Sequence, residues 1–222
     1  MIEIILDTET TGLKASEGHR IVEIGCIELN ELIPTKNKFH CYLNPERKVF
    51  EDAFKIHGYT DDFLSKQKKF AEIVDEFLNF IKGKRLVIHN AGFDISHLNN
   101  ELKILGRDKI NEEIIDTLQI ARDKFPGSST SLDALCKRYG IDNSRREKHN
   151  AVLDCELLSK VYINLLDQRE PTLDLNVENN QNNQKVSNYN NKYFNKIIKP
   201  TEEELKLHKE YLKREIKKNY FN

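Results

Sequence analysis

Three short segments of this sequence carry acidic residues and histidines in patterns that could do chemistry. The first, residues 7–12, reads DTETTG and places Asp7 and Glu9 two positions apart. In an extended chain these side chains lie on the same face, and neighbouring carboxylates repel each other unless a cation lies between them. Hard oxygen ligands suit Mg²⁺ or Mn²⁺ rather than zinc. The alternative is a polar strand end that enters a turn at Gly12.

The second segment, residues 89–94, reads HNAGFD. It places Asp94 in the first turn of a predicted helix, where an acidic side chain also complements the helix dipole. Taken alone, Asp94 equally suits a helix-capping role, and His89 suits a packed structural histidine.

The third segment, residues 149–154, reads HNAVLD. Asn150 can cap the last helix of the body, which leaves Asp154 in its first or second turn and His149 on the loop before it. A loop histidine beside carboxylates can act as a general base near neutral pH. The alternative is a surface histidine without a role.

Strands and helices must bring these segments together. Strands are predicted at residues 2–6, 21–29, 38–43, 85–88 and 113–115. Helices are predicted near residues 51–56, 70–81, 93–105, 117–125 and 150–166, and another follows a possible capping box at residues 130–133. Strands in sequence followed by strands alternating with helices predict an α/β fold, a mixed sheet flanked by helices.

The composition changes sharply near residue 174. Nine of the twenty residues from 176 to 195 are Asn and two are Gln, which is typical of a flexible linker. A capping box of Thr201 and Glu204 then opens a helix. Its apolar stripe consists of Leu205, His208, Leu212 and Ile216, broadened by Tyr220. We therefore predict a body (1–173), a linker (174–199) and a helical tail (200–222).

The net charge, the hydrophobic stretches and the cysteine content of the chain exclude some classes of function. The 222 residues have a net charge of −1, which argues against binding of nucleic acid through the overall charge of the protein. Any binding of nucleic acid therefore needs a local site or metal ions. No apolar stretch approaches the ~18 residues of a membrane span, and no signal peptide is apparent at the N-terminus. The four cysteines form no Cys-x-x-Cys pair. These features predict a reduced, cytoplasmic protein without structural zinc.

Taken together, the motifs resemble the DEDDh family of 3′–5′ exonucleases. The closest similarity is to its proofreading branch, the epsilon-type subunits of bacterial DNA polymerase III. The resemblance covers about residues 1–167. It includes residues 6–12 (LDTETTG), 21–25 (IVEIG), 87–90 (VIHN), 93–95 (FDI), 131–136 (SLDALC) and 149–154 (HNAVLD).

The resemblance implies a ribonuclease H-like fold and two-metal-ion hydrolysis of a terminal phosphodiester. Asp7, Glu9 and Asp154 would hold one Mg²⁺ or Mn²⁺, and Asp7 would bridge to the second. Asp94 would act through a water molecule, and His149 would take the proton from the attacking water. Two cations would also let a protein with no positive net charge bind an anionic strand end.

Residues 50–58 resemble the substrate-contacting segment of the family. The resemblance implies that Asp52 and His57 contact the terminal nucleotide, while Phe54 is expected to pack in the core. The backbone of residues 8–12 should approach the same nucleotide, with Gly12 permitting the turn. Asp116 and Glu23 are predicted to be structural.

The partners that the resemblance implies are a DNA 3′ end and, through the tail, the alpha subunit of polymerase III. A small theta-like subunit is a further candidate. Residues 168–175 contain a Gln followed by Leu-x-Leu, which could bind the sliding clamp or be an ordinary helix exit. Two other functions stay open: a stand-alone DEDDh nuclease that acts on RNA ends, and a catalytically silent adaptor of polymerase and clamp.

Overall fold

A five-stranded mixed sheet organises the body of the protein. The computed structural model describes residues 1–146, 148–166 and 200–215, and the side chains of the last segment as far as residue 212. The strand order is β3-β2-β1-β4-β5. The strands are β1 (Ile2–Thr10), β2 (Ile21–Asn30), β3 (Ile33–Tyr42), β4 (Arg85–Ile88) and β5 (Ile114–Asp116). β1, β2 and β3 pair antiparallel, whereas β4 runs parallel to both β1 and β5. The predicted mixed sheet is confirmed.

Helices follow the strands in the order that the sequence predicted, with two additions. The helices are α1 (Glu51–His57), α2 (Asp61–Ser65), α3 (Phe70–Ile81), α4 (Ala91–Ile104), α5 (Thr117–Lys124), α6 (Leu132–Tyr139), α7 (Ala151–Leu165) and α8 (Glu202–Glu215). The short helix α2 and a 3₁₀ turn at Ala15–Glu17 were not predicted. α6 begins at an N-cap formed by Ser131, which accepts a hydrogen bond from Ala134 N, rather than by Thr130.

Helices cover both faces of the sheet, which explains why its central strands are continuously apolar. Along β1, Ile4 and Leu6 point into a core shared with α3 and α4, whereas Ile5 points into a second core shared with α5, α6 and α7. All three side chains are fully buried. A strand buried on both sides needs apolar residues at successive positions rather than at alternate ones.

The strand β1 is longer than its apolar run. It was predicted to end at Leu6, yet it continues to Thr10, with Asp7 opposite Gly25 and Glu9 opposite Glu23 of β2. Ladder hydrogen bonds use the backbone, so the polar side chains do not end the strand, and the register shifts only after Glu9. The acidic pair therefore lies within a rigid strand. β3 also begins earlier than predicted, at Ile33.

Helix α1 turns a different face inward than expected. Its buried residues are Ala53 and His57, four positions apart on one side of the helix. Phe54 is 42% exposed, so the prediction that it packs in the core was wrong.

The helix α8 belongs to a separate compact unit and is described by itself. Its first turn carries the predicted capping box: Glu204 N donates to Thr201 Oγ1 at 3.3 Å, and Thr201 N donates to Glu204 Oε2 at 2.7 Å. Leu205 of the predicted stripe is 45% exposed. Ile216, Tyr220 and the predicted linker lie outside the described side chains. None of the helices in the described ranges combines the length and the hydrophobicity that a transmembrane span requires.

Candidate active site

The four acidic residues and the histidine singled out in the sequence line one groove at the C-terminal end of the central strand β1. The groove has a volume of about 500 Å³. Asp7 and Glu9 come from β1, Asp94 from the first turn of α4, and Asp154 from the first turn of α7. His149 lies on the loop that precedes α7. The structure therefore brings together residues that are as much as 147 positions apart in the chain.

Asp94 is held directly against β1. Its Oδ1 accepts hydrogen bonds from Thr8 N at 2.9 Å and from Thr8 Oγ1 at 2.7 Å. The turn before α4 places Asn90 at a φ of 70°, in the left-handed region that Asn tolerates better than most residues. Asp116 fixes this turn by accepting from Asn90 N and Ala91 N, which agrees with its predicted structural role.

Helix α7 is anchored by a buried acid and by a glycine. Glu23, which is fully buried, accepts from Asn150 Nδ2 at 2.8 Å and from Ala151 N at 3.0 Å. Gly25 lies under the same turn, and a Cβ at this position would overlap the backbone of Ala151. Asn150 caps the helix as predicted by accepting from Leu153 N. These contacts aim the first turn of α7, and hence Asp154, at the acids of β1.

The groove suppresses the ionisation of three of the four acids that the motifs singled out. Desolvation holds the pKa of Asp7 well above its usual range, and the carboxylates of Asp94 and Glu9 raise it further. Burial and the nearby Asp154 raise the pKa of Glu9 to about 8. Burial raises the pKa of Asp94 to about 7, although the hydrogen bonds from Thr8 act in the opposite direction. Acids that are crowded and desolvated in this way are stabilised in their charged form by a bound cation.

Asp154 behaves differently because it has a cationic neighbour. Burial opposes its ionisation, yet the neighbouring His149 and the hydrogen bonds and charge of Arg146 outweigh burial and lower its pKa. Arg146 forms a fork: Nε donates to Asp154 Oδ1 at 2.5 Å, and Nη2 donates to Oδ2 at 2.8 Å. Arg146 belongs to the polar segment 143–148, which none of the three motifs includes. The signal in the sequence was a pair of arginines, Arg145 and Arg146, shortly before His149.

The donor atoms of the groove fit a hard divalent cation. One ligand atom each from Glu9, His149 and Asp154 lie within 4.8 Å of one another. His149 Nδ1 is 3.4 Å from Asp154 Oδ2 and 4.0 Å from Glu9 Oε1. With Asp7 and Asp94 on the same groove, most of the available donors are carboxylate oxygens, which Mg²⁺ and Mn²⁺ prefer.

A second, more apolar pocket of about 330 Å³ adjoins the groove and shares Thr8, Glu9, Ile56 and Phe93 with it. Its other lining residues include Gly12, Leu13, His19, Phe50, Asp52 and His57. The pocket thus contains both predicted substrate contacts, Asp52 and His57, although the Asp52 side chain is 97% exposed. The chain bends at residues 11–13 as predicted, but the φ of Gly12 is not positive. A Cβ at this position would overlap the imidazole of His19, so the glycine is needed for space rather than for backbone freedom.

His57 is held in one orientation at this pocket. Its side chain stacks on the Tyr59 ring, and its Nδ1 accepts from Tyr59 N at 2.9 Å. Burial lowers its pKa, so the ring is neutral and Nε2 carries the hydrogen. Nε2 is buried, and its interaction with the backbone of Thr10 falls short of a well-formed hydrogen bond.

Comparisons with known proteins agree with this geometry. The family model described as "Exonuclease" matches residues 4–162. The DNA polymerase III subunit epsilon of Rickettsia felis is 49% identical over 219 residues, 95% of each chain. The corresponding subunit of Escherichia coli K12 is 48% identical over 169 residues, 72% of this chain and 70% of that protein.

Among solved structures, the nuclease domain of 3′hExo, a DEDDh family member bound to rAMP, superposes with a TM-score of 0.66. It is 18% identical and is matched over 76% of this chain and 92% of its own, which shows a shared ribonuclease H-like exonuclease fold. The resemblance inferred from the motifs is confirmed. The chain belongs to the exonuclease family and, within it, to the epsilon subunits of DNA polymerase III.

Proposed function

We propose that this protein removes terminal, mispaired nucleotides from the 3′ end of DNA as the proofreading subunit of a replicative polymerase. The reaction is the hydrolysis of the terminal phosphodiester. The observation that carries the proposal is the convergence of Asp7, Glu9, Asp94, His149 and Asp154 on one groove. The raised pKa values of three of these acids support a site that is completed by cations.

The acidic residues would share two divalent cations between them. Asp7, Glu9 and Asp154 would hold one cation, Asp7 would also face the other, and Asp94 would act through a water molecule. When bound, the cations activate the attacking water and stabilise the leaving 3′ oxygen. The carboxylate-rich donor set favours Mg²⁺ or Mn²⁺ as the cofactor.

His149 is suited to take the proton from the attacking water. Its side chain is 45% exposed, so the ring can pass the proton to solvent after each turnover. Its backbone is fixed, since His149 N donates to the carbonyl of Ile56 at the end of α1 at 3.2 Å. The general base is thereby tied to the helix that carries His57.

The apolar pocket would receive the terminal nucleoside. Leu13, Phe50 and Phe93 offer surfaces on which a base can stack, as in other sites that bind single strands. We propose that the Nε2–H group of His57, which lies beside the backbone of Thr10, donates to the terminal sugar. Asp52 would contact the same nucleotide from the rim.

A direct assay tests the function and its main alternative. Labelled single-stranded DNA and RNA of the same sequence are incubated with the protein in Mg²⁺, in Mn²⁺ and in excess chelator. We expect stepwise, metal-dependent shortening of DNA from the 3′ end, faster than that of RNA. Preferential cleavage of RNA would favour the stand-alone RNA nuclease, and no metal-dependent cleavage would favour the silent adaptor.

The similarity to epsilon subunits suggests how the enzyme reaches its substrate. We propose that the tail, which includes α8, binds the polymerase alpha subunit, and that residues 174–199 tether the nuclease domain beside the primer end. Truncation after residue 198 should abolish association with alpha and leave hydrolysis of free single strands nearly unchanged. Wild-type affinity of the truncated protein for alpha would exclude the tail as the tether.

Two further partners are proposed from the sequence. Residues 168–175, which lie outside the described residues, are a candidate clamp contact, and a theta-like subunit is a candidate partner of the body. Replacing Leu173 and Leu175 with Ala should weaken clamp binding. Unchanged binding would remove the clamp contact from the proposal.

A further inference from the structure

The guanidinium of Arg146 occupies the centre of the catalytic groove. Its side chain is only 7% exposed, and each of its three nitrogens donates a hydrogen bond to the site. Nε and Nη2 fork onto Asp154, and Nη1 donates to Asp133 Oδ2 at 2.8 Å. Nη2 also donates to Nδ1 of His149 at 2.9 Å. The arginine therefore engages a proposed metal ligand and the proposed general base at the same time.

The fork and a metal ion would use the same atoms. Both carboxylate oxygens of Asp154 accept from Arg146, so a cation that coordinates either oxygen competes for it with a positively charged donor. The lone pair of His149 Nδ1 is engaged in the same way and is not free to accept a proton from water. A fixed positive charge next to Asp154 also repels an incoming cation.

Asp133 provides a second carboxylate to which the guanidinium of Arg146 can stay bound. It lies in the first turn of α6 and is 56% exposed, so it can hold Arg146 at the rim of the groove. The same carboxylate accepts from Asn143 Nδ2 at 2.9 Å and so anchors the loop that carries Arg146. Release from Asp154 would thus leave the arginine bound to one acid rather than unpaired.

We propose that Arg146 is an internal counter-ion that takes the place of a cation on Asp154 in the metal-free protein, and that metal binding displaces it toward Asp133. In this arrangement Arg146 stabilises the site without metal, lowers its affinity for metal, and keeps His149 blocked until a cation arrives. The inference rests on the proposed role of Asp154 as a metal ligand.

Metal affinity, measured without any nucleic acid, tests this inference. Mn²⁺ is titrated by calorimetry into the metal-free full-length protein, with Arg146→Gln as the variant and Arg145→Gln as the matched control. Arg145 is exposed, immediately precedes Arg146 and has no contact with the groove acids in the described structure. Because the cation no longer competes with the fork, we expect Arg146→Gln to bind Mn²⁺ roughly tenfold or more tightly, a gain of about 1.4 kcal/mol or more. Arg145→Gln should bind like the wild type.

Thermal unfolding gives an independent readout. Arg146→Gln should unfold at a lower temperature than the wild type without metal, and saturating Mn²⁺ should raise its melting temperature by more. Arg146→Lys keeps the charge but cannot form the fork, so its affinity should lie between those of wild type and Arg146→Gln. If Arg146→Gln does not fold, the lysine variant alone decides. Affinity equal to or weaker than wild type would overturn the inference.

One further variant separates this inference from the proposed function. Asp154→Asn should bind Mn²⁺ far more weakly than the wild type. If Asp154→Asn loses Mn²⁺ while Arg146→Gln binds it like the wild type, only the counter-ion role fails. If Asp154→Asn binds Mn²⁺ normally, the proposed metal site itself is wrong.

Discussion

Two sets of buried acids in this protein differ in their neighbours: one set faces hydrogen-bond donors, and the other faces further carboxylates. Glu101, which is 2% exposed, receives a fork from Arg20 with distances of 2.6 and 2.7 Å. Glu23 accepts from His40, Tyr59, Asn150 and the backbone of Ala151. In the groove, by contrast, Asp7, Glu9 and Asp94 face one another, and their pKa values are raised.

The difference separates structural acids from functional ones. A buried carboxylate needs hydrogen bonds or an opposite charge to offset its lost hydration. Glu101 obtains both from Arg20 and Glu23 obtains four hydrogen bonds, so the chain itself compensates these two acids and they complete the fold. The groove acids obtain too little, and the missing charge corresponds to the cations on which this family depends. Substitutions in the two sets should therefore affect different measurements.

The largest effect is expected for Asp7→Ala. The substitution removes the acid that is proposed to face both cations. Metal ions stabilise the transition state by several kcal/mol, which corresponds to about three orders of magnitude in rate. Turnover on single-stranded DNA in Mg²⁺ should fall by at least that factor, while circular dichroism shows an intact fold. Turnover close to that of the wild type would show that the site is assigned wrongly.

His149→Ala should lower turnover by about two to four orders of magnitude, the range of a general acid–base contribution. Calorimetric Mn²⁺ affinity should change little, because His149 is proposed to move a proton rather than to bind metal. His149 Nδ1 nevertheless lies close to Glu9 and Asp154. A strong loss of Mn²⁺ affinity in this variant would make His149 a ligand instead.

Glu101→Gln should affect stability rather than catalysis. Removing one partner of a buried ion pair costs about 3–5 kcal/mol, and the lower end applies here because Arg20 is 19% exposed. Urea unfolding should show this loss, while turnover per folded molecule stays near that of the wild type. Asp62→Asn, at an exposed ion pair with Lys66 away from both pockets, is the matched control and should change neither quantity. A large loss of turnover in folded Glu101→Gln would show that Glu101 also serves catalysis, which contradicts the division into structural and functional acids.

Much of this organisation could be read from the sequence because it depends on local patterns. The bounds of β4 and α3 were predicted correctly, since apolar periodicity and flanking Gly83 define them. The five groove residues could be predicted because each follows or begins a recognisable element. Their convergence came from the resemblance to a family, since spacing alone does not reveal which strands are neighbours.

The features that escaped prediction depend on contacts between distant segments. Arg146 lies in a polar loop with no periodicity, and its role is visible only beside Asp154. Phe54 was assigned to the core because it is apolar, yet α1 turns Ala53 and His57 inward. Gly12 was explained by backbone freedom, whereas the reason for it is the position of His19.

The smallest expected effect is a shift in melting temperature, and it tests directly whether Glu9 lacks the partner that Glu101 has. The pKa of Glu9 is about 8 in the folded protein and near 4.5 without the fold, so the metal-free folded state binds the extra proton between these values. The contribution of Glu9 to the free energy of unfolding is therefore most favourable below about pH 4.5 and is lost as the pH rises through 8. Glu9→Gln, which cannot ionise, should raise the metal-free melting temperature by a few degrees at pH 8 and change it little at pH 5. With saturating Mn²⁺ the order should reverse, because the variant lacks a ligand, whereas Glu101→Gln should be less stable than the wild type under all three conditions. Destabilisation of metal-free Glu9→Gln at pH 8 would mean that Glu9, like Glu101, already has its partner within the chain.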